Sequence, residues 1–162
     1  MPTSAVRLLV VLDESELGLH TAAMAAELAV RLAAEITLHV VIPIEHIEMR
    51  SAASSMFVLA QHQVDCRKRA AEWFARAHAV IQPSGVATRT VMTMDEEPCA
   101  AVLRIADEQG CGLIVAGSHG RGTVARLLGG SLVADLLRLS HLPVLVCRED
   151  MKAGWLGGPA AG

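Results

Sequence analysis

Apolar residues run through Val6 to Leu12 broken only by Arg7, the pattern of a strand buried on both faces, and the run stops at Asp13. Ser15 is placed to cap a helix and Glu16 suits its first turn. Leu17, Met24, Leu28 and Leu32 then recur at helical spacing to about Ala34. A second apolar run, Ile36 to Ile42, is closed by Pro43, and a polar stretch from Ile44 to about Ser51 leads away from it. From Ala52 to Ile81 the period is helical again, with Val58, Gln61, Cys66, Ala70, Trp73, Ala77 and Val80 near one stripe, and Pro83-Ser84-Gly85 stops it.

Val86 to Met94 alternates as a strand with one wetter face and is a candidate edge strand. Asp95-Glu96-Glu97-Pro98 reads as a helix start with acidic residues near the positive dipole end. Val102, Ile105 and Ala106 form the inner face of that helix, and Gly110 ends it. Gly112 to Ala116 is a fourth strand, Ser131 to about Ser140 a last helix carrying Leu132, Leu136 and Leu139, and Pro143 to Cys147 a fifth strand. Strands alternating with helices predict an α/β fold: a doubly wound, five-stranded parallel sheet of order 3-2-1-4-5 with helices on both faces. In such a sheet ligands bind beyond the carboxyl ends of the strands where the order reverses, and Asp13 and Gly117 are expected to be neighbours there.

The chemistry concentrates behind the fourth strand, in Gly117-Ser118-His119-Gly120-Arg121-Gly122-Thr123 and in Gly129-Gly130-Ser131. Glycine lets a ligand approach bare backbone and leaves N–H groups free to face an anion, of which phosphate is the commonest. A glycine pair costs about 1 kcal/mol per residue inside a helix, so Gly129-Gly130 is better placed just before one that starts at Ser131. Two clusters of N–H groups result, one in the loop and one at a helix start whose dipole favours negative charge, and a polyphosphate fits between them. His119 is either a hydrogen-bond partner of that phosphate or an exposed loop residue. Arg121 is close enough in sequence to neutralise phosphate charge, whereas Arg126 is better read as part of a solvated face.

The pattern Gly117-x2-Gly120-x9-Gly130-Ser131 resembles the nucleotide-binding motif of the universal stress protein family, specifically its ATP-binding branch. The similarity runs from about residue 4 to residue 148, through Leu9-Val10-Val11-Leu12-Asp13-Glu14-Ser15, Leu38-His39-Val40 and Leu142-Pro143-Val144-Leu145-Val146. The resemblance implies that Asp13 contacts the ribose and that the backbone around Val40 meets the adenine. It implies also that Gly117, Gly120, Gly130 and Ser131, with Leu132 adjoining, hold the phosphates of ATP or AMP. A divalent ion such as Mg would travel on those phosphates. Glu14 stands where the family commonly has glycine, Gly18 where a small hydroxyl is common, and Glu96 where a glycine often precedes the third helix.

Composition narrows the remaining classes. At 162 residues one domain is expected, residues 1 to 148, followed by a Gly- and Ala-rich tail, 149 to 162, that is loose unless Trp155 docks. Hydrophobic residues make up 52%, yet charges interrupt every long apolar stretch, so no membrane span is expected. The first residues lack a secretory pattern, and a cytoplasmic location is expected. A net charge of -3, no Tyr and 2% aromatics argue against a nucleic-acid surface. Cys66, Cys99, Cys111 and Cys147 have no metal-site spacing and read as core thiols.

Other chemistries fail on particular residues. Gly117-x4-Gly122-Thr123 lacks the lysine of a P-loop. Gly120-x-Gly122-x-x-Ala125 follows the wrong strand for a dinucleotide fingerprint, and His46-x-Glu48 with Pro98-Cys99 meets Val102 where a zinc deaminase needs a second cysteine. No catalytic triad or carboxylate pair can be assigned, which favours ATP binding with slow hydrolysis at most, in a stress-response or signalling role. The alternative is an interaction protein whose pocket is empty or takes AMP or cyclic AMP. The fifth strand, Pro143 to Cys147, falls at a sheet edge with no charge to discourage pairing, so a homodimer through that edge is expected, as the resemblance also implies.

Overall fold

The computed structural model describes residues 6–44, 52–118 and 132–157. Its elements run β1 (Arg7–Val11), α1 (Glu16–Leu32), β2 (Glu35–Pro43), α2 (Ala52–Ile81), a 3-10 turn at Gln82–Ser84, β3 (Thr88–Asp95), α3 (Pro98–Glu108), β4 (Leu113–Gly117), α4 (Leu132–Leu139) and β5 (Val144–Cys147). The five strands form one parallel sheet in the expected order β3-β2-β1-β4-β5. None of the described helices is long and apolar enough to cross a membrane.

Strand alternation divides the core in two. Leu8, Val10, Leu38, Val40 and Val115 point to the face covered by α1 and α2, and Leu9, Val11, Ile114 and Ala116 to the face covered by α3 and α4. Removing such side chains completely from water stabilises the fold by roughly 1.5–3 kcal/mol each. Arg7, the one charge in the first apolar run, lies at the entrance of β1. Its guanidinium pairs with Glu35 at 2.9 Å and also donates to the Gln109 carbonyl. Its hydrogen bond holds the Glu35 carboxyl below the usual carboxylate range.

Local signals explain the boundaries. Ser15 has extended backbone, and its Oγ accepts from the Gly18 N–H at 3.2 Å, as an N-cap should. Gly110, at φ 63°, takes the left-handed conformation that closes α3. Asp95 belongs to the end of β3 and acts on α3 from outside. Its Oδ1 accepts from the Glu97 N–H at 3.0 Å, and that bond holds its carboxyl below the usual range. The stripe on α2 is rotated from the expected one: Cys66, Ala70, Ala77 and Ile81 are buried, whereas Val58 and Val80 are 49% and 40% exposed. Spacings of three and four backward from Ile81 give that set, and Val58 and Val80 lie off its axis.

Residues 151 to 155 return to the body. Met151 and Trp155 pack against the α1–α2 side of the core, and the Gly154 N–H donates to the Glu27 carboxylate at 3.0 Å. Burial raises the pKa of each of the four cysteines, Cys147 to about 11, so they are neutral thiols at pH 7.

Candidate functional site

The sheet order reverses between β1 and β4. β1 leads through α1 to β2 on its one side, while β4 pairs with its other side, with Val11 opposite Ala116. Asp13 lies two residues beyond that pair and Gly117 one, on strands about 4.8 Å apart. The topology therefore brings Asp13 and Gly117 together at the carboxyl edge, where a crevice opens in doubly wound sheets.

The turn that carries Asp13 is tied on three sides. Ser15 Oγ donates to Asp13 Oδ1 at 2.5 Å while accepting the Gly18 N–H, so cap and carboxylate form one unit. Gly18 is packed against that unit: a Cβ there would stand 2.6 Å from the Asp13 carbonyl oxygen, closer than real contacts allow. From outside, Arg69 of α2 reaches Glu14 at 3.3 Å and Arg76 reaches Glu16 at 2.5 Å. Arg76 is itself seated over the Trp73 ring, 4.3 Å from its centroid.

Gly117 is equally confined. A Cβ on it would meet Thr21 Oγ1 at 2.8 Å and Leu17 Cγ at 2.9 Å, so the absence of a side chain lets the end of β4 close onto the first turns of α1. Past it, the Ser118 N–H bonds the Cys147 carbonyl at 2.7 Å and keeps the strand exit extended. Leu132 opens α4 and packs, half-buried, on the α3–α4 side of the core. His119, Gly120, Arg121, Gly130 and Ser131 lie outside the described residues.

The position on β2 needs a finer distinction than the sequence provides. In a parallel ladder the N–H and C=O of one residue face the same neighbour, and successive residues alternate. Ile36 N–H bonds Ala87 and Ile44 N–H bonds Asp95, so even-numbered residues face β3, whereas the His39 carbonyl accepts from Leu12 across β1. The Val40 backbone is thus turned to β3 and its side chain is buried. It is Val41 whose N–H and C=O face the β1 side, beyond the last β1–β2 bond at Leu12. Hydrophobic patterning cannot reveal this, because it reports side-chain direction and not the side on which the backbone pairs.

One layer beneath, His39 is wholly buried against α3, with Nε2 2.9 Å from Thr93 Oγ1 and Nδ1 without a partner among the described residues. Burial, and secondarily the Arg104 cation, lowers its pKa to about 4. Its imidazole is neutral at pH 7.

Among the described residues no group of three or more His, Cys, Asp or Glu side chains could hold a metal.

A curated relative, the universal stress protein YxiE of Bacillus subtilis, is 28% identical over 148 residues, covering 88% of this chain and 98% of its own. Among solved structures, that of protein MJ0577 superposes with a TM-score of 0.71 at 20% identity, over 91% of this chain and 98% of the other. A 52-residue segment is 33% identical to MJ0577 of Methanocaldococcus jannaschii, 32% of each chain. The universal stress protein of Archaeoglobus fulgidus in complex with dAMP superposes with a TM-score of 0.60 at 19% identity, over 88% and 97%. The model of the universal stress protein family matches residues 6–148, a range that holds every strand and helix described above, and this chain belongs to that family.

Proposed function

We propose that this chain binds an adenine nucleotide, ATP in the first instance, at the carboxyl edges of β1 and β4, as a stress-response or signalling module that turns it over slowly at most. The observation that carries the reading is the convergence of the capped Asp13 turn and the side-chain-free Gly117 at the reversal of strand order. The Asp13 carboxylate takes the ribose hydroxyls. Val41, next to Val40, offers a backbone donor and acceptor to the adenine edge. Gly117, Gly120, Gly130, Ser131 and Leu132 form the phosphate cradle, with His119 and Arg121 beside it. Mg enters on the phosphates of the bound nucleotide.

A relative in complex with dAMP favours adenylates as a class and keeps a monophosphate in view. The second reading is accordingly an interaction module that takes AMP or cyclic AMP. Mass spectrometry of nucleotide released on denaturing the purified protein, with calorimetric titration of ATP, AMP and cyclic AMP, separates the two. ATP recovered near one per chain and the strongest heat with ATP are expected. Recovery of no nucleotide and no heat with any of the three would sink the proposal.

The same reading places the protein in the cytoplasm as a homodimer. Val144, Leu145 and Val146 are half-buried on an edge strand whose outer side has no partner strand among the described residues, and two copies can pair there about a two-fold axis.

A further inference from the structure

α2 is longer than the surface it covers. It leaves the carboxyl edge after β2 and ends at the 3-10 turn before β3, so it runs antiparallel to the strands with its N-terminus on the ligand side. Arg69 marks the height of that edge, because it pairs with Glu14 just past the end of β1. The last buried residue toward the N-terminus is Cys66, one turn above Arg69, and from there down Cys66, Ala70, Ala77 and Ile81 are buried. Above Cys66 about 14 residues, roughly 20 Å of helix at 1.5 Å per residue, project past the sheet.

The projection is apolar where it should be polar. Met56 and Phe57 are each 74% exposed, Val64 56%, Val58 49% and Leu59 39%. Met56 and Leu59 continue the buried stripe of the lower half, so the pattern that seats α2 on the sheet goes on where there is no sheet. The four consecutive residues from Met56 to Leu59 also circle most of the helix. An apolar turn that circles the helix, as here just before Gln61-His62-Gln63, suits burial against protein, whereas a membrane-surface helix keeps a continuous polar face.

We infer that this projecting half of α2 is a self-association surface, occupied by the same segment of a second copy of the chain. From Met56 to Val64 there is no Asp, Glu, Lys or Arg. Two-fold pairing sets a surface against itself and would oppose like charges if it carried them, and this one carries none. With 150–250 Å² on a large aromatic and less on each aliphatic side chain, the patch is on the order of 500 Å², at the upper end for a monomer. Two copies together remove about 1,000 Å², the lower bound of a specific interface. The surface is separate from the β5 edge, which lies at the far side of the sheet from β3.

Sedimentation equilibrium on the full chain and on Phe57→Lys tests this, with far-UV circular dichroism as the control for folding. The substituted side chain is exposed on one subunit, so the helix should form as before. The full chain is expected at two or four times the 17.1 kDa chain mass, and Phe57→Lys at half the mass of the full chain with an unchanged spectrum. Phe57→Leu, which keeps the apolar surface, should keep the mass of the full chain. Equal masses for the full chain and Phe57→Lys overturn the inference, as does a full chain that is monomeric. Equal masses with loss of binding to phosphatidylglycerol vesicles would assign the helix to a lipid surface instead, and that also overturns it.

Discussion

The buried His39 makes stability depend on pH, and the size of the effect follows from its surroundings. Its imidazole is wholly buried, bonded through Nε2 to Thr93, and faced from α3 by Arg104, which is itself paired with Asp95. The pKa is about 4 in the folded protein against 6.5 in the unfolded chain. Because the folded value is depressed, the native state is at full strength above 6.5 and loses stability as pH falls toward 4, where the unfolded chain binds the proton and the folded one does not. Between pH 7 and pH 5 the loss is about 2 kcal/mol, and it reaches about 3 kcal/mol below pH 4, at 1.36 kcal/mol per pH unit. Urea unfolding of the protein and of His39→Leu at the two pH values measures it. Subtracting the pH-dependent change of the variant removes every other histidine and all carboxylates. Asp95 and Glu35, both depressed, lose their contributions only as pH falls below their unfolded values, mostly beneath the window. A difference near 2 kcal/mol is expected. If the two proteins lose stability equally between pH 7 and 5, the imidazole titrates normally and is not sealed beneath α3.

Two further outcomes concern the site and the tail. Gly130→Val, if Gly130 presents a bare N–H to phosphate, should weaken ATP binding at least tenfold, about 1.4 kcal/mol, with little change in melting temperature; unchanged affinity in a folded variant removes Gly130 from the cradle. A chain ending at Asp150 loses the half-buried Trp155 and the bond from Gly154 to Glu27, and should be about 1–2 kcal/mol less stable, melting ~2–6 °C lower. Its oligomeric state should match the full chain. A monomeric full chain that becomes dimeric on this truncation would make the tail the cover of β5 and remove the proposed dimer.

Much of this molecule was legible because its local signals agree with one another. The span of α2, the cap at Ser15, the stop at Gly110 and the strand order all follow from periodicity, caps and the handedness of crossovers. What was not legible depends on contacts between distant segments. His39 interrupts an apolar strand as an ordinary surface histidine would, and only the packing of α3 over it makes it neutral. The α2 stripe gave no sign that its support ends at Cys66, since helix period is blind to the length of the sheet beneath. Trp155 follows a Gly-containing stretch that reads as loose, yet it packs, as Met151 does, against the α1–α2 side of the core.

The turn at Asp13 shows the same limit at the site itself. In the sequence Glu14 and Gly18 are two separate departures from the family pattern, one in a turn and one in a helix. In the structure they adjoin the same aspartate. Glu14 is drawn outward to Arg69, and Gly18 lies where the Asp13 carbonyl leaves no room for a Cβ. A side chain at position 18 would have to displace the backbone of Asp13, whose Oδ1 is already held by the helix cap. Overpacking of this kind costs about 1–3 kcal/mol, more than the ~1 kcal/mol that alanine gains over glycine in a helix. The glycine therefore gives up helix propensity to hold the carboxylate in position, and the two departures are one local solution to placing Asp13 at the edge of the sheet.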